Sequence, residues 1–176
     1  MSETSILEGK KVLVVDDEPD ILEMVGEILS MCEVAAASTF EQGKALLDSK
    51  EFDIAILDIM GVDGYGLLEI ANNKGIPAVI LTAHAFTADN LVKTIKEGGY
   101  SYIPKEELSN ITDYLIDAII SKQTGSNPWE AWQERLPSSY FERRWGSTWK
   151  NMDRKFWHQF KESLRTRNIK KNDALS

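Results

Sequence analysis

The sequence feature that most constrains the fold is a fivefold alternation of short apolar runs and amphipathic segments within the first 122 residues. The apolar runs, rich in β-branched residues or alanine, are Lys11–Val15, Val34–Ala37, Ile54–Asp58, Ala78–Thr82 and Tyr100–Ile103. The amphipathic segments that follow them are Ile21–Met31, Phe40–Asp48, Tyr65–Asn72, Ala88–Glu97 and Leu108–Ile120. Strands that alternate with helices over short connections pair in parallel through right-handed crossovers. The pattern therefore predicts an α/β fold with a doubly wound, five-stranded parallel sheet.

The composition changes after this region. Residues 1–124 carry 9 basic and 22 acidic side chains, a net charge of −13, whereas residues 125–176 carry 11 and 6, a net charge of +5. All five tryptophans lie in the second segment. We therefore predict a domain over residues 1–122, a Gly- and polar-rich linker over 123–127, and a Trp-rich, basic helical extension over 128–176.

Several classes of protein are disfavoured by the composition. No apolar run approaches the ~20 residues that span a bilayer, so no membrane association is expected. The segment Met1–Lys10 is polar and acidic and does not resemble a signal peptide. A single cysteine, Cys32, cannot form an internal disulfide and suits a reducing compartment. We therefore expect a cytoplasmic protein.

Five polar side chains follow the predicted strands and mark a site. In an open α/β sheet the site lies outside the carboxyl ends of the strands, where Asp16, Asp17, Asp58, Thr82 and Lys105 would meet. Three neighbouring carboxylates repel one another, and a divalent cation relieves that repulsion. Ligation by oxygen atoms suits Mg²⁺, which also prepares a carboxylate to attack a phosphoryl group. The residues therefore predict a site for Mg²⁺ and phosphoryl chemistry.

Four motifs carry a family resemblance: Val14–Glu18, Leu57–Met60 followed by Asp63–Gly64, Leu81–Ala83, and Tyr102–Lys105. In order and spacing they resemble the receiver domains of bacterial response regulators over about the first 122 residues. The resemblance implies a flavodoxin-like sheet with strand order 2-1-3-4-5. It also implies a signalling protein rather than an enzyme, with only self-catalysed phosphorylation and dephosphorylation.

The resemblance also implies a role for each matched residue. Asp58 would accept a phosphoryl group from a sensor histidine kinase or a phosphotransfer protein. Asp17, Asp58 and the backbone carbonyl of Met60 would bind Mg²⁺ directly, and Asp16 would act through water. Lys105 and Thr82 would contact the phosphoryl oxygens. Tyr102 would be the aromatic partner of Thr82 in the switch and would move inward as Thr82 closes on the phosphate.

Two departures from the family pattern concern the loops of this site. The family's Asp-x-x-Met-Pro-x-Met-Asp-Gly is two residues shorter here, from Asp58 to Gly64, and lacks proline, so Gly61 should make a tight turn. The family's Lys-Pro order is reversed, with Glu106 following Lys105. A cis bond before Glu106 would cost ~3 kcal/mol, and a trans bond with a remodelled loop is the alternative.

His84 lies two residues past Thr82, where the family varies. We hypothesise that His84 and Met60 tune the lifetime of the phosphorylated state, the alternative being that His84 is a loop residue without a role.

The extension should be helical. Asn127-Pro128 predicts a helix start, and Trp129, Trp132 and Leu136 fall on one face. Further helices are expected from Ser139 and over Thr148–Arg167. About 50 residues cannot bury so many aromatic side chains by themselves. The extension therefore either docks on the acidic domain or forms a homodimer or target-protein contact, and both can hold.

The basic residues and His158 of the extension raise two other functions. The alternative to output through protein contacts is transcriptional regulation by DNA binding of the basic extension, which includes Arg143, Arg144 and Arg165. The extension lacks a convincing helix-turn-helix pattern and the net charge of the chain is −8, which argue against nucleic acid. His158 loosely matches a phosphotransfer motif, but such domains are four-helix bundles of about twice this length.

Overall fold

The computed structural model describes residues 3–83, 87–136 and the single residue 162. Within these residues, five strands form one parallel sheet in the order β2-β1-β3-β4-β5. The strands are β1 (Lys11–Val15), β2 (Glu33–Ala37), β3 (Ile54–Asp58), β4 (Ala78–Thr82) and β5 (Ser101–Pro104). The predicted fold class and strand order are confirmed.

In the part of the chain that the structure describes, six α-helices connect and extend the sheet: α1 (Pro19–Ile28), α2 (Phe40–Ser49), α3 (Gly64–Asn73), α4 (Ala88–Lys96), α5 (Ile111–Thr124) and α6 (Pro128–Arg135). Short 3₁₀ turns occupy Glu3–Ile6 and Lys105–Asn110. The chain crosses from β1 to β2 in one direction and from β2 onward in the other. Right-handed crossovers therefore place helices on both faces of the sheet.

The core follows from the composition of the central strands. All residues of β3 and β4 are buried, as are the last four of β1, because helices cover the sheet on both sides. The edge strand β2 is half-exposed. At the other edge, β5 is buried because helices α4, α5 and α6 all pack against it.

Helix α6 is the described part of the basic extension. Asn127 Oδ1 accepts a hydrogen bond from the Trp129 amide at 3.0 Å, which caps the helix as predicted. Trp129, Trp132 and Leu136 are buried in the same core as the sheet. Docking on the domain, one of the two expectations for the extension, is thus observed for this helix.

Other expectations for the extension fall outside the described residues: the helices from Ser139 and over Thr148–Arg167, the basic residues considered for DNA, and His158. Helix α5 continues to Thr124, two residues into the predicted linker, and Gly125 ends it in the left-handed conformation with φ 75°. The division into domains at residues 122–128 stays a prediction. No helix of the described part is both long and apolar enough to cross a membrane.

Candidate functional site at the carboxyl edge of the sheet

The register of the sheet aligns the carboxyl ends of four strands. Asp58 ends β3 and pairs with Leu81, one residue before Thr82 ends β4. Thr82 in turn pairs with Pro104, the residue before Lys105. Asp16 follows the last residue of β1. The sheet therefore brings Asp16, Asp58, Thr82 and Lys105 to one edge, as the strand-end argument predicted.

Lys105 is the centre of an ion-pair cluster. Its Nζ lies 2.9 Å from Asp16 Oδ2, 2.9 Å from Glu18 Oε1 and 3.8 Å from Asp58 Oδ1. The side chains of Asp16 and Asp58 are 0% and 3% exposed, so these charges are shielded from water. Burial lowers and the partner carboxylates raise the pKa of Lys105, which ends above its usual value. Lys105 is therefore a fixed cation at this edge.

The reversed Pro104–Lys105 order is accommodated without a cis peptide. No peptide bond of the described residues is cis, so the bond between Lys105 and Glu106 is trans. Lys105 instead begins the 3₁₀ turn Lys105–Asn110, with Pro104 in extended conformation before it. The alternative of a remodelled loop is the one observed.

Asp58 has an unusual acidity. Burial, together with the neighbouring charges of Asp16 and Asp17, raises the pKa of Asp58 to about 6, although Lys105 and the Met60 amide oppose the rise. The pKa of Asp16 is also raised, chiefly by burial, although the Glu18 amide and Lys105 oppose this. The carboxylates are thus held closer together than their mutual repulsion favours.

This excess of negative charge fits a divalent cation. Carboxylate oxygens of Asp16, Asp17 and Glu18 lie within 4.8 Å of one another, and all are the hard donors that Mg²⁺ prefers. Asp58 adds a fourth carboxylate, and Lys105 pairs with three of the four, Asp16, Glu18 and Asp58. Glu18 was not predicted as a site residue. The only sequence signal for Glu18 is its place directly after Asp16 and Asp17. Its ion pair with Lys105 depends on the fold, which brings the two residues together.

The shortened loop after β3 is built around glycines. The amides of Met60 and Gly61 donate to Asp58 Oδ1 at 3.5 Å and Oδ2 at 3.2 Å. A Cβ on Gly61 would overlap the carboxylate of Asp17, and one on Gly64 would overlap the backbone carbonyl of Asp58. The Met60 side chain is 66% exposed beside the site. The loop thus closes tightly over Asp58, and the Met60 carbonyl as a metal ligand stays a prediction.

The two residues predicted to form the switch, Thr82 and Tyr102, are both buried. Thr82 Oγ1 is buried and has no hydrogen-bond partner in the described part of the chain. Tyr102 is 0% exposed, and its hydroxyl accepts from the Thr87 amide at 3.4 Å. Thr87 caps the start of α4. The structure therefore holds Tyr102 inward. His84 lies outside the described residues, and its effect on phosphate lifetime stays a prediction.

Comparisons with known proteins agree with this fold. A family model described as the response regulator receiver domain matches residues 12–116. The chain is 35% identical over 118 residues to "Two-component response regulator ARR18" of Arabidopsis thaliana, covering 61% of this chain and 18% of that protein. It is 38% identical over 104 residues to "Putative response regulator NtrX-like" of Rickettsia bellii, covering 53% and 21%.

Among solved structures, a CheY-like response regulator receiver domain protein from Methanospirillum hungatei superposes with a TM-score of 0.61 at 25% identity, covering 68% of this chain and 100% of that one. The fold and the acidic edge of the sheet define a receiver-type α/β protein. The chain belongs to the response regulator receiver domain family. It spans about a fifth of the length of the first curated relatives, 18% and 22%.

Proposed function

We propose that this chain is a phosphorylation-controlled response regulator in which Asp58 accepts a phosphoryl group from a histidine kinase or phosphotransfer protein. The observation that carries the proposal is the placement of Lys105 Nζ 3.8 Å from the buried carboxylate of Asp58. Family membership supports the same assignment. The chain would act in the cytoplasm, and its output would pass through protein contacts of the receiver and the extension.

In the transfer step, an ionised Asp58 oxygen forms a bond to phosphorus while the bond from phosphorus to the donor histidine nitrogen breaks. With a pKa of about 6, Asp58 is largely ionised near neutral pH. Asp17, Asp58 and the Met60 carbonyl would bind Mg²⁺ directly. Asp16 would act through water, and the Glu18 carboxylate lies close to those of Asp16 and Asp17. When bound, the ion would supply positive charge next to the oxygens in transfer.

Lys105 and Thr82 would bind the phosphoryl group of phosphorylated Asp58. A phosphoryl group adds about two negative charges and three acceptor oxygens. The Lys105 ammonium, already at this edge, and the unpartnered Thr82 hydroxyl are donors for those oxygens. A shift of a two-state equilibrium from 1:99 to 99:1 requires ~5.5 kcal/mol. Two or three charge-assisted hydrogen bonds at ~1.5–3 kcal/mol each would supply about 3–9 kcal/mol, a range that includes this requirement. Phosphorylation would shift this equilibrium if Thr82 bonds the phosphoryl oxygens in one conformation and not in the other.

The test is phosphorylation of the full chain by acetyl phosphate with Mg²⁺, followed by intact-mass spectrometry. We expect one added phosphoryl group on the wild type and on Asp53→Asn, whose exposed carboxylate lies at the opposite end of β3. We expect none on Asp58→Asn. A phosphoryl group that persists in Asp58→Asn, or that is acid-labile as expected for His158, would reject the assignment of Asp58.

A further inference from the structure

The edge strand β5 is covered by a segment of this chain that lies outside the family match. An uncovered edge presents unpaired backbone groups. Here, one backbone carbonyl of β5 and one just before the strand accept hydrogen bonds from tryptophans of α6. Trp129 Nε1 donates to the Gly99 carbonyl at 3.2 Å, and Trp132 Nε1 donates to the Tyr102 carbonyl at 2.8 Å. The family match ends at residue 116, so these contacts are additions to the receiver fold.

Helix α6 is attached to the domain both by buried apolar surface and by directed polar contacts. Trp129 and Trp132 are 0% and 3% exposed, and their rings meet edge to face with centroids 5.4 Å apart. On the side toward α5, the Arg135 guanidinium makes a two-point ion pair with Asp117, at 2.8 and 3.1 Å. Arg135 also lies 3.9 Å from Asp113. Helix α6 is thus held to β5 by indoles and to α5 by a guanidinium.

One of the two indole bonds ends on the switch residue. The Tyr102 backbone accepts from Trp132, while the Tyr102 side chain is buried and its hydroxyl accepts from the cap residue of α4, Thr87. In the sheet, Tyr102 pairs with Ile80, two residues before Thr82. Helix α6 is therefore one hydrogen bond away from the residue that is predicted to move inward as Thr82 closes on the phosphate.

We infer that docking of α6 holds Tyr102 inward, so that attachment of α6 and phosphorylation of Asp58 favour each other. This inference rests on the proposed function. The described structure combines a docked α6 with a fully buried Tyr102, so the two conditions are compatible in one conformation. Thermodynamic linkage then requires reciprocity: phosphorylation tightens α6, and loosening α6 weakens phosphoryl binding by the same factor. The face formed by β5 and α5 is meanwhile occupied by the chain itself.

The first test needs no substitution. Amide hydrogen exchange of the full-length wild type is compared in Mg²⁺ alone and in Mg²⁺ with beryllofluoride, a phosphoryl mimic. We expect slower exchange over residues 128–136 with the mimic. Exchange should be unchanged at the end of α2, residues 46–49, where the Leu47 carbonyl accepts from Lys74 at the opposite edge of the sheet. Unchanged or faster exchange over 128–136, with the mimic bound, would overturn the inference.

The second test uses a matched pair of substitutions. Trp132→Phe and Trp129→Phe each remove one indole N–H from the same helix. Only the N–H of Trp132 donates to Tyr102, whereas that of Trp129 donates to Gly99. We expect Trp132→Phe to weaken beryllofluoride binding by about 5- to 20-fold, and Trp129→Phe to change it by clearly less. Equal affinities for the wild type and Trp132→Phe would contradict the coupling.

The two proposals fail differently. If the wild type does not bind beryllofluoride, or if Asp58→Asn binds it equally well, the proposed function fails and the coupling falls with it. If the wild type binds and Asp58→Asn does not, the function stands and the exchange of residues 128–136 decides the coupling. Thermal unfolding of both tryptophan variants verifies that they remain folded under the conditions of the binding measurement.

Discussion

Asp58 carries an acidity that depends on its place in the sheet. Its folded-state pKa of about 6 lies above the ordinary value of 3.8 because the carboxyl group is buried next to Asp16 and Asp17. The folded chain therefore binds more protons than the unfolded chain between these two values. The stability contribution of Asp58 falls as the pH rises through this window and stays at its minimum above it.

Replacing Asp58 by asparagine should therefore stabilise the protein in a pH-dependent way. We expect Asp58→Asn to raise the free energy of unfolding by about 1–3 kcal/mol at pH 7–8, and the gain to shrink as the pH falls below about 6. Urea unfolding at several pH values, with EDTA present to remove divalent cations, measures the difference. Glu51→Gln, at an exposed position at the other end of β3, is the control. A gain that does not vary with pH would contradict the burial argument.

Single residues differ in how far the sequence alone predicts their place. Asp16, Asp58, Thr82 and Lys105 were placed by a rule about strand ends, because the sheet leaves those backbone positions no alternative. Glu18 was not, because its exposed side chain extends from the start of α1 and its direction depends on where Lys105 lies. Position follows from topology, whereas contacts between long side chains do not.

At the scale of elements, apolar strands are predicted best. β1, β3 and β4 begin and end where their apolar runs do, since a strand buried on both faces is bounded by its first polar neighbours. Helix α1 runs over Pro19–Ile28 rather than Ile21–Met31, because Pro19 occupies the first turn and Leu29 already leaves the helix. The 3₁₀ turn Lys105–Asn110 was missed, since so short a turn has no apolar periodicity.

The loop between β3 and α3 offers a prediction at this scale. Neither Gly61 nor Gly64 has room for a Cβ atom. At Gly61 the added atom would meet the side-chain carboxylate of Asp17, which can move, whereas at Gly64 it would meet the backbone of Asp58. We expect Gly61→Ala to change stability by less than about 1 kcal/mol but to weaken Mg²⁺ binding about 10-fold. Gly64→Ala should cost about 1–3 kcal/mol because the backbone must shift. Calorimetric Mg²⁺ titration and urea unfolding measure both.

Gly26→Ala in α1 is the matched control, because nothing lies within 4 Å of the added methyl group. It should stabilise the chain by about 0.5–1 kcal/mol, the ordinary gain for alanine within a helix. If Gly61→Ala bound Mg²⁺ as the wild type does, Asp17 would not be displaced and its assignment as a ligand would lose its support.

At the scale of the whole molecule, the acidic receiver and the basic extension share one hydrophobic core at α6. The sequence required that something bury the aromatic residues of the extension but did not decide between the receiver and a partner. For α6 the structure decides: Trp129 and Trp132 lie in the core of the sheet, and Arg135 pairs with the acidic α5. The sequence could not choose, because charge complementarity and apolar surface serve either docking partner equally well.

Since α6 shares the receiver's core, it should unfold with the receiver in a single transition. A reporter is available because every tryptophan lies beyond the α5 helix. In a background with Trp145, Trp149 and Trp157 changed to phenylalanine, fluorescence reports only α6, whereas far-ultraviolet circular dichroism reports the sheet and its helices. We expect the two signals to give coincident urea transitions.

In that background, Arg135→Gln should shift both transitions together to lower urea concentration. The free energy of unfolding should fall by no more than about 1 kcal/mol, since the ion pair with Asp117 is partly exposed. Loss of fluorescence at lower urea than the dichroism would show that α6 is a separable appendage, in which case it could not hold Tyr102 in place.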